Sequence, residues 1–218
     1  MKVGTDGVLL GVWTELDNPY SILDIGSGTG LISLMMAQRS NAEVIDAVEL
    51  EDNAYEQTVE NFENSDWGDR LFCYHASFQE FVNEIDDTYD LIISNPPFYN
   101  STYKELDSER ALARHSESLS YNELLLGVSK LLSPNGSFSV IIPFNEEENF
   151  IKIANEYLLF SNRITRVRGL VQSKIKRSLI QFSFTQKTIK ETELIIEKER
   201  HNYTNEYKNL VKDFYLKM

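Results

Sequence analysis

This 218-residue chain has one cysteine, five prolines, three histidines and no long apolar run. The lone thiol, Cys73, excludes an internal disulfide and matches a reducing cytoplasm. In the apolar stretch Leu71-Phe72-Cys73-Tyr74 it reads as a small buried side chain rather than a nucleophile. No run approaches the roughly 18 apolar residues that a membrane helix needs. Met1 leads straight into Lys2-Val3-Gly4-Thr5-Asp6-Gly7, so no signal peptide is expected. A cytoplasmic protein without a metal site, and a monomer, is the expectation. The remaining composition, 42% hydrophobic and 25% charged, is that of an ordinary globular protein with a sizeable core.

Positive charge is also scarce, but only in one half. Residues 1–100 hold 3 Lys+Arg against 19 Asp+Glu, a net of −16, whereas residues 101–218 hold 18 against 15. Between Tyr157 and Lys190 lie eight basic residues and no acidic one. A polyanion is repelled by the first half and attracted to this stretch. A solvated sheet edge guarded by lysines accounts for it equally well.

Apolar β-rich runs alternate with helical patterns. Strands are expected at 21–25, 43–49, 70–75, 89–94 and 137–143, and helices at 30–39, 52–63 and near 120–132. Pro134-Asn135-Gly136 predicts a turn ahead of the last of these strands. The β-α order predicts a doubly wound α/β fold, a mostly parallel sheet with helices on both faces. Beyond 160 the pattern changes: Ile164–Val171 and Ser178–Gln186 alternate as an antiparallel edge hairpin, and Tyr203–Leu216 reads as a closing helix. The expected organisation is a single domain over 1–218, with a cofactor-binding and catalytic core at 1–145. Residues 146–218 add edge strands, the basic stretch and the closing helix.

What is present is concentrated in two segments. Asp24-Ile25-Gly26-Ser27-Gly28-Thr29-Gly30 ends the first strand and opens the first helix, where glycines allow a tight turn and close approach of a ligand to the backbone. The G-x-G-x-G spacing is not that of a pyrophosphate loop, and Asp24 repels a pyrophosphate but accepts from an ammonium group. Glu49, at the end of the second strand, stands where a carboxylate binds ribose hydroxyls. An ammonium acceptor with a ribose acceptor points to S-adenosylmethionine. The second segment, Asn95-Pro96-Pro97-Phe98, closes the run Tyr89–Ser94 at the same sheet edge. Two prolines make it rigid and unsuited to a sheet ladder. An amide oxygen on Asn95 and the Pro96 carbonyl suit gripping an exocyclic amine while Phe98 stacks on its ring.

With these segments the chain resembles the amino-group methyltransferases of the Asn-Pro-Pro-Phe/Tyr type. Met1–Gly11, Asp46-Ala47-Val48-Glu49-Leu50-Glu51 and the tail from Asn202-Tyr203-Thr204 to Phe214-Tyr215-Leu216 are similar to the bacterial tRNA(Val) (adenine-37-N6)-methyltransferase family. The resemblance runs over essentially the whole chain. It implies a Rossmann-like class I methyltransferase fold with a seven-stranded sheet, S-adenosylmethionine as cofactor and tRNA as partner. It implies that Asn95, Pro96 and Phe98 handle the target base. It also implies that Thr5, Asp6, Asp24, Gly26, Gly28, Glu49 and Asn95 meet the cofactor. The third-strand position that commonly holds an aspartate for the cofactor's adenine is Ser77 here, a weaker acceptor. Family members carry a further aromatic-rich segment ahead of Lys2, so a looser hold on the cofactor is expected.

For tRNA contacts the candidates are Arg110, Arg114 and His115 in the polar 100–119 segment, which suits a substrate lid, and Lys174, Lys176 and Arg177 in the basic stretch. Two other functions use the same residues: a glutamine methyltransferase acting on a protein, and an inactive cofactor- or RNA-binding module.

Overall fold

In the computed structural model, residues 4–96 and 119–215 are described. They form one nine-stranded sheet in the order β3-β2-β1-β4-β5-β7-β6-β8-β9. The strands are β1 Ser21–Ile25, β2 Val44–Glu49, β3 Leu71–His75, β4 Tyr89–Ser94, β5 Leu132–Pro143, β6 Phe160–Leu170, β7 Ile175–Ser183, β8 Lys190–Glu199 and β9 Asn202–Tyr203. The first five pair in parallel, β7 lies antiparallel between β5 and β6, and β8 returns parallel to β6.

Helices α1 Thr5–Trp13, α2 Leu31–Arg39 and α7 Asn205–Val211 cover one face. There Val8, Leu9 and Leu10 meet Met36, Ile45, Ile93, Ile141 and Leu179. Helices α4 Phe78–Glu84, α5 Tyr121–Leu131 and α6 Glu147–Glu156 cover the other. Phe138, Phe150 and Phe182 form its aromatic centre with Leu124 and Leu125. Helix α3 Asp52–Glu63 adds Phe62 to the first face. Strand runs such as Leu91-Ile92-Ile93 are buried on both sides, which is why they read as continuous apolar stretches rather than alternating ones. Among the described residues no helix is long and apolar enough to cross a membrane.

The sheet differs from the expected seven strands by β8 and β9. In β8 only Leu194 is buried, so its charged sequence carries no strand pattern. Its place is set by β6: Arg166 bonds Glu191 at 2.9 Å, and Arg168 bonds Glu193 at 2.9 and 3.0 Å. The hairpin of β6 and β7 forms as expected, but β8 and β9 extend the sheet past it. Pro134-Asn135-Gly136 falls inside β5, where pairing with β4 jumps from Leu132 to Ser137, so the expected turn is an irregularity in the strand.

Contact between α4 and α5 depends on Gly127. A Cβ there would lie 2.3 Å from Phe78 Cε1 and 2.9 Å from Val82 Cγ2. Helix propensity favours alanine by about 1 kcal/mol, while overpacking costs about 1–3 kcal/mol. Phe78 is buried and cannot swing clear. Gly127→Ala is therefore expected to lower the melting temperature by several degrees, at ~2–4 °C per kcal/mol. An unchanged or raised melting temperature would show that α4 and α5 separate at little cost.

Candidate active site

The site begins with the junction of two parallel strands. Ile25 of β1 pairs with Ser94 of β4, and Ser94 Oγ donates to the Ile25 carbonyl at 2.9 Å. The next residues along the two strands are Gly26 and Asn95. The two segments singled out in the sequence therefore emerge side by side at the carboxyl edge of the sheet, where open α/β sheets bind ligands.

Gly26, Gly28 and Gly30 all have positive φ, at 72°, 62° and 73°. At Gly30 the absent side chain is needed twice, because a Cβ would also lie 2.5 Å from Phe62 Cε1. Gly26 has no heavy atom within 4 Å of the corresponding position, so its glycine leaves open space above the loop. The loop is tied to its surroundings from several sides. Gly26 and Ser27 N–H donate to the Val48 carbonyl at 2.9 and 3.2 Å. Thr58 Oγ1 donates to the Gly28 carbonyl and Asn61 Nδ2 to that of Thr29, each at 2.9 Å.

Three backbone N–H groups orient Glu49. Oε2 accepts from Gly28 at 2.8 Å, and Oε1 accepts from Leu50 and Glu51 at 2.9 Å each. Oε1 is thereby fully used, and Oε2 keeps one lone pair for a ligand hydroxyl.

Asp24 is fully buried. Its Oδ2 accepts from the N–H and hydroxyl of Ser33 at 3.1 and 2.7 Å, while Oδ1 has no partner among the described residues. Burial pushes its pKa up to about 7 from an ordinary 3.8, opposed by the Ser33 bonds and reinforced by the charge of Glu49. An orphaned carboxylate oxygen beneath an open glycine turn fits a cationic ligand group.

Asn95 Oδ1 is likewise covered and without a partner among the described residues, and Pro96 is buried. Leaving such an acceptor unsatisfied costs about 1–3 kcal/mol, a cost that a bound donor would remove. Phe98, Arg110, Arg114 and His115 lie outside the described residues.

Thr5 and Asp6 open α1, whose Gly7 packs against Leu31 and Ile32 at the start of α2, beside the glycine loop. Asp6 Oδ2 accepts from Arg177 Nε at 2.8 Å. Arg177, read as an RNA contact, is thus joined to a residue read as a cofactor contact. Ser77 lies past the end of β3 and caps α4. Its hydroxyl donates to Glu80 at 2.6 Å and accepts from the Glu80 N–H at 3.2 Å, leaving one lone pair. Lys174 and Lys176 are exposed and have no ion pair among the described residues. Cys73 is half-buried and its thiol is pushed up to about 12 by burial, which suits the inert reading. Among the described residues no group of three or more His, Cys, Asp or Glu is placed to hold a metal ion.

Sequence reasoning missed Ser33 and Ser94, the residues that fix Asp24 and the strand junction. A serine three residues into α2 and another at the end of an apolar run carry no distinctive signal.

The chain matches the family model described as "Methyltransferase small domain" over residues 8–143. It is similar over its whole length to three proteins named tRNA1(Val) (adenine(37)-N6)-methyltransferase. These are from Christiangramia forsetii, 60% identical over 92% of that protein; Flavobacterium psychrophilum, 56% over 94%; and Bacteroides fragilis, 47% over 92%. Among solved structures, a predicted O-methyltransferase from Agrobacterium tumefaciens superposes with a TM-score of 0.73. The match covers 95% of this chain and 96% of that one, at 18% identity. A methyltransferase from Pyrococcus furiosus gives 0.57 over 79% of each chain at 19% identity. These two structures show the methyltransferase fold.

The raised pKa of Asp24 has a consequence for the ligand-free protein. The folded state prefers the neutral acid, so the stability that neutral Asp24 contributes is full below about pH 4 and lost as pH rises to about 7. Asp24→Asn preserves an acceptor for Ser33 and never ionises. Thermal melts of the two proteins should coincide near pH 4, with the variant increasingly the more stable toward pH 8. A gap that does not grow with pH would count against a buried, ionising Asp24.

Proposed function

This chain belongs to the tRNA1(Val) (adenine(37)-N6)-methyltransferase family, and we propose that it methylates the exocyclic amine of adenine-37 in valine tRNA with S-adenosylmethionine. The observation that carries the reading is the pair of orphaned oxygens, Asp24 Oδ1 and Asn95 Oδ1, presented at one sheet edge by adjacent strands. One suits a cationic amino group, and the other suits a neutral amine with hydrogens to donate.

When bound, S-adenosylmethionine supplies an electrophilic methyl group on a sulfonium. On the chain's side, Asp24 accepts from the ammonium, Gly26 and Gly28 give the room for close approach, and Glu49 accepts from the ribose. Thr5, Asp6 and the remaining Ser77 lone pair border the same ligand. Asn95 Oδ1 and the Pro96 carbonyl accept the two hydrogens of the target amine. That geometry draws the nitrogen away from planarity and turns its lone pair outward, and Phe98 stacks on the base. Once the methyl group has bonded to nitrogen, the amine is acidic enough to lose its proton to water, and no dedicated base is required. We also read the enzyme as a cytoplasmic monomer that needs no metal, since a sulfonium methyl group is already activated without a Lewis acid.

Labelled methyl transfer to tRNA, compared with a bulk protein fraction, tests the reading. Transfer is expected to tRNA and to be lost when the target adenine is replaced by guanine. Asn95→Ala is expected to weaken cofactor binding by calorimetry far less than it lowers kcat, which falls about 10²–10³-fold, the range for removing one preorganised polar contact. Transfer to protein alone, or full activity in the variant, would overturn it.

A further inference from the structure

Strand β5 outruns its neighbour. Its pairing with β4 ends at Val140 opposite Ser94, yet it continues to Pro143 alongside Arg177 of β7. The end of β5, the start of β7 and the end of β6 therefore project beyond Asn95 as a ledge. On this ledge Phe144, Asn145, Arg168, Lys174 and Ile175 line a depression of about 500 Å³, within the roughly 300–1,000 Å³ of ligand clefts. Asn95 on β4 and the ledge on β7 are two strand steps apart, roughly 10 Å.

The Phe144 ring is 38% exposed at this depression. The Arg166 guanidinium lies 6.0 Å from its centroid. Arg166 is not free to leave: Glu147 holds it through Nε at 3.0 Å and Nη2 at 2.7 Å, and Glu191 through Nη1 at 2.9 Å. Arg168 is fixed in the same way by Glu193 and by the Ser173 carbonyl. Both arginines are thus held and largely neutralised, Arg168 in the lining of the depression and Arg166 over the Phe144 ring. Lys174 is exposed and has no ion pair among the described residues, so its charge is available to a partner. An aromatic face with a free cation beside it suits a base joined to a phosphate. It does not suit an acidic or apolar peptide, which has no use for both.

We propose that this depression receives the nucleotide adjoining the target adenine in the tRNA strand, its base stacked on Phe144 and its phosphate paired with Lys174. The proposal rests on the tRNA reading above. Turning a base out of its stack leaves its neighbour with an uncovered face. A fixed aromatic ring replaces the lost stacking whatever the base identity, so Phe144 stabilises the opened strand rather than reading its sequence. The cation has to come from this half of the chain, because residues 1–100 carry a net of −16.

A synthetic anticodon stem-loop carrying 2-aminopurine next to the target adenine tests the assignment with the intact enzyme. Emission is expected to be quenched by the wild type and by Phe144→Tyr, and not by Phe144→Ala. The KM for tRNA should rise about tenfold or more in Phe144→Ala, with the KM for S-adenosylmethionine unchanged. Lys174→Glu, on an exposed side chain that folding does not need, should weaken tRNA binding and reduce its salt slope by about one. This variant carries the test where Phe144→Ala does not fold. An enzyme that methylates tRNA, with quenching and tRNA KM unaltered in the variants, overturns the ledge assignment alone. A wild type that transfers no methyl group to tRNA overturns the underlying reading and the assignment together.

Discussion

Parallel pairing of β1 with β4 sets Ile25 opposite Ser94, and every part of the candidate site inherits its position from that juncture. The two residues are 69 apart in sequence, and the crossover between them contains β2, β3, α2, α3 and α4. The juncture therefore forms only when both faces of the sheet are packed. Ser94 Oγ on the Ile25 carbonyl occupies an acceptor at the point where β1 leaves the ladder, so the loop starts from a fixed end. From there the glycine conformations, the Val48 carbonyl and the Glu49 carboxylate set the rest of the cradle. The site is rigid because its supports come from β1, β2, α2 and α3 at once.

That rigidity is held against a local cost. Asp24 Oδ1 and Asn95 Oδ1 are acceptors removed from water without a partner among the described residues. Neither belongs to a packing solution that burial alone would select, since an apolar residue in either place would avoid the loss. Such unpaired groups are tolerated where a ligand completes them, and the surrounding hydrogen bonds keep them from relaxing. Ser33 restrains Asp24 in this way.

Legibility followed burial. β1, α3 and β4 have the boundaries that the sequence predicts, and α2 and β2 differ by a residue at one end; burial on both sides makes the strand patterns strong, while α3 shows through the single buried face of Ala54, Thr58 and Phe62. α4 carries a capping box, Ser77 to Glu80, a helix start that the sequence spells out at the candidate cofactor position. β8 escaped notice because one buried leucine in ten residues leaves no alternation to find. Its role shows only in three dimensions, where Glu191 and Glu193 meet Arg166 and Arg168. The same pairing explains why the run of eight basic residues overstated the free charge. Arg163, Arg166, Arg168 and Arg177 are tied to Glu15, Glu147, Asp6 and two glutamates of β8, which sequence proximity does not reveal. The arginines of that stretch lie on β6 and β7, inside the sheet, where the ion pairs hold them, while Lys174 and Lys176 are exposed.

On the proposed reading, one sheet edge must bind a cation and a polyanion at once, and screening decides whether it can. The acidic half, with 19 carboxylates against 3 basic residues, favours a cationic cofactor over β1 and β2 and repels RNA. The ledge on β7 lies three strand steps from β1, roughly 15 Å. That exceeds the Debye length of about 8 Å at physiological salt. Repulsion from the cofactor end is therefore largely damped at the ledge, whereas Lys174 acts on a phosphate at contact distance. Carboxylates close to Asn95 remain unscreened, so an RNA strand is pushed off the cofactor side and held from the β5–β7 side. The target base then has to reach Asn95 from the ledge, which fixes the direction of approach.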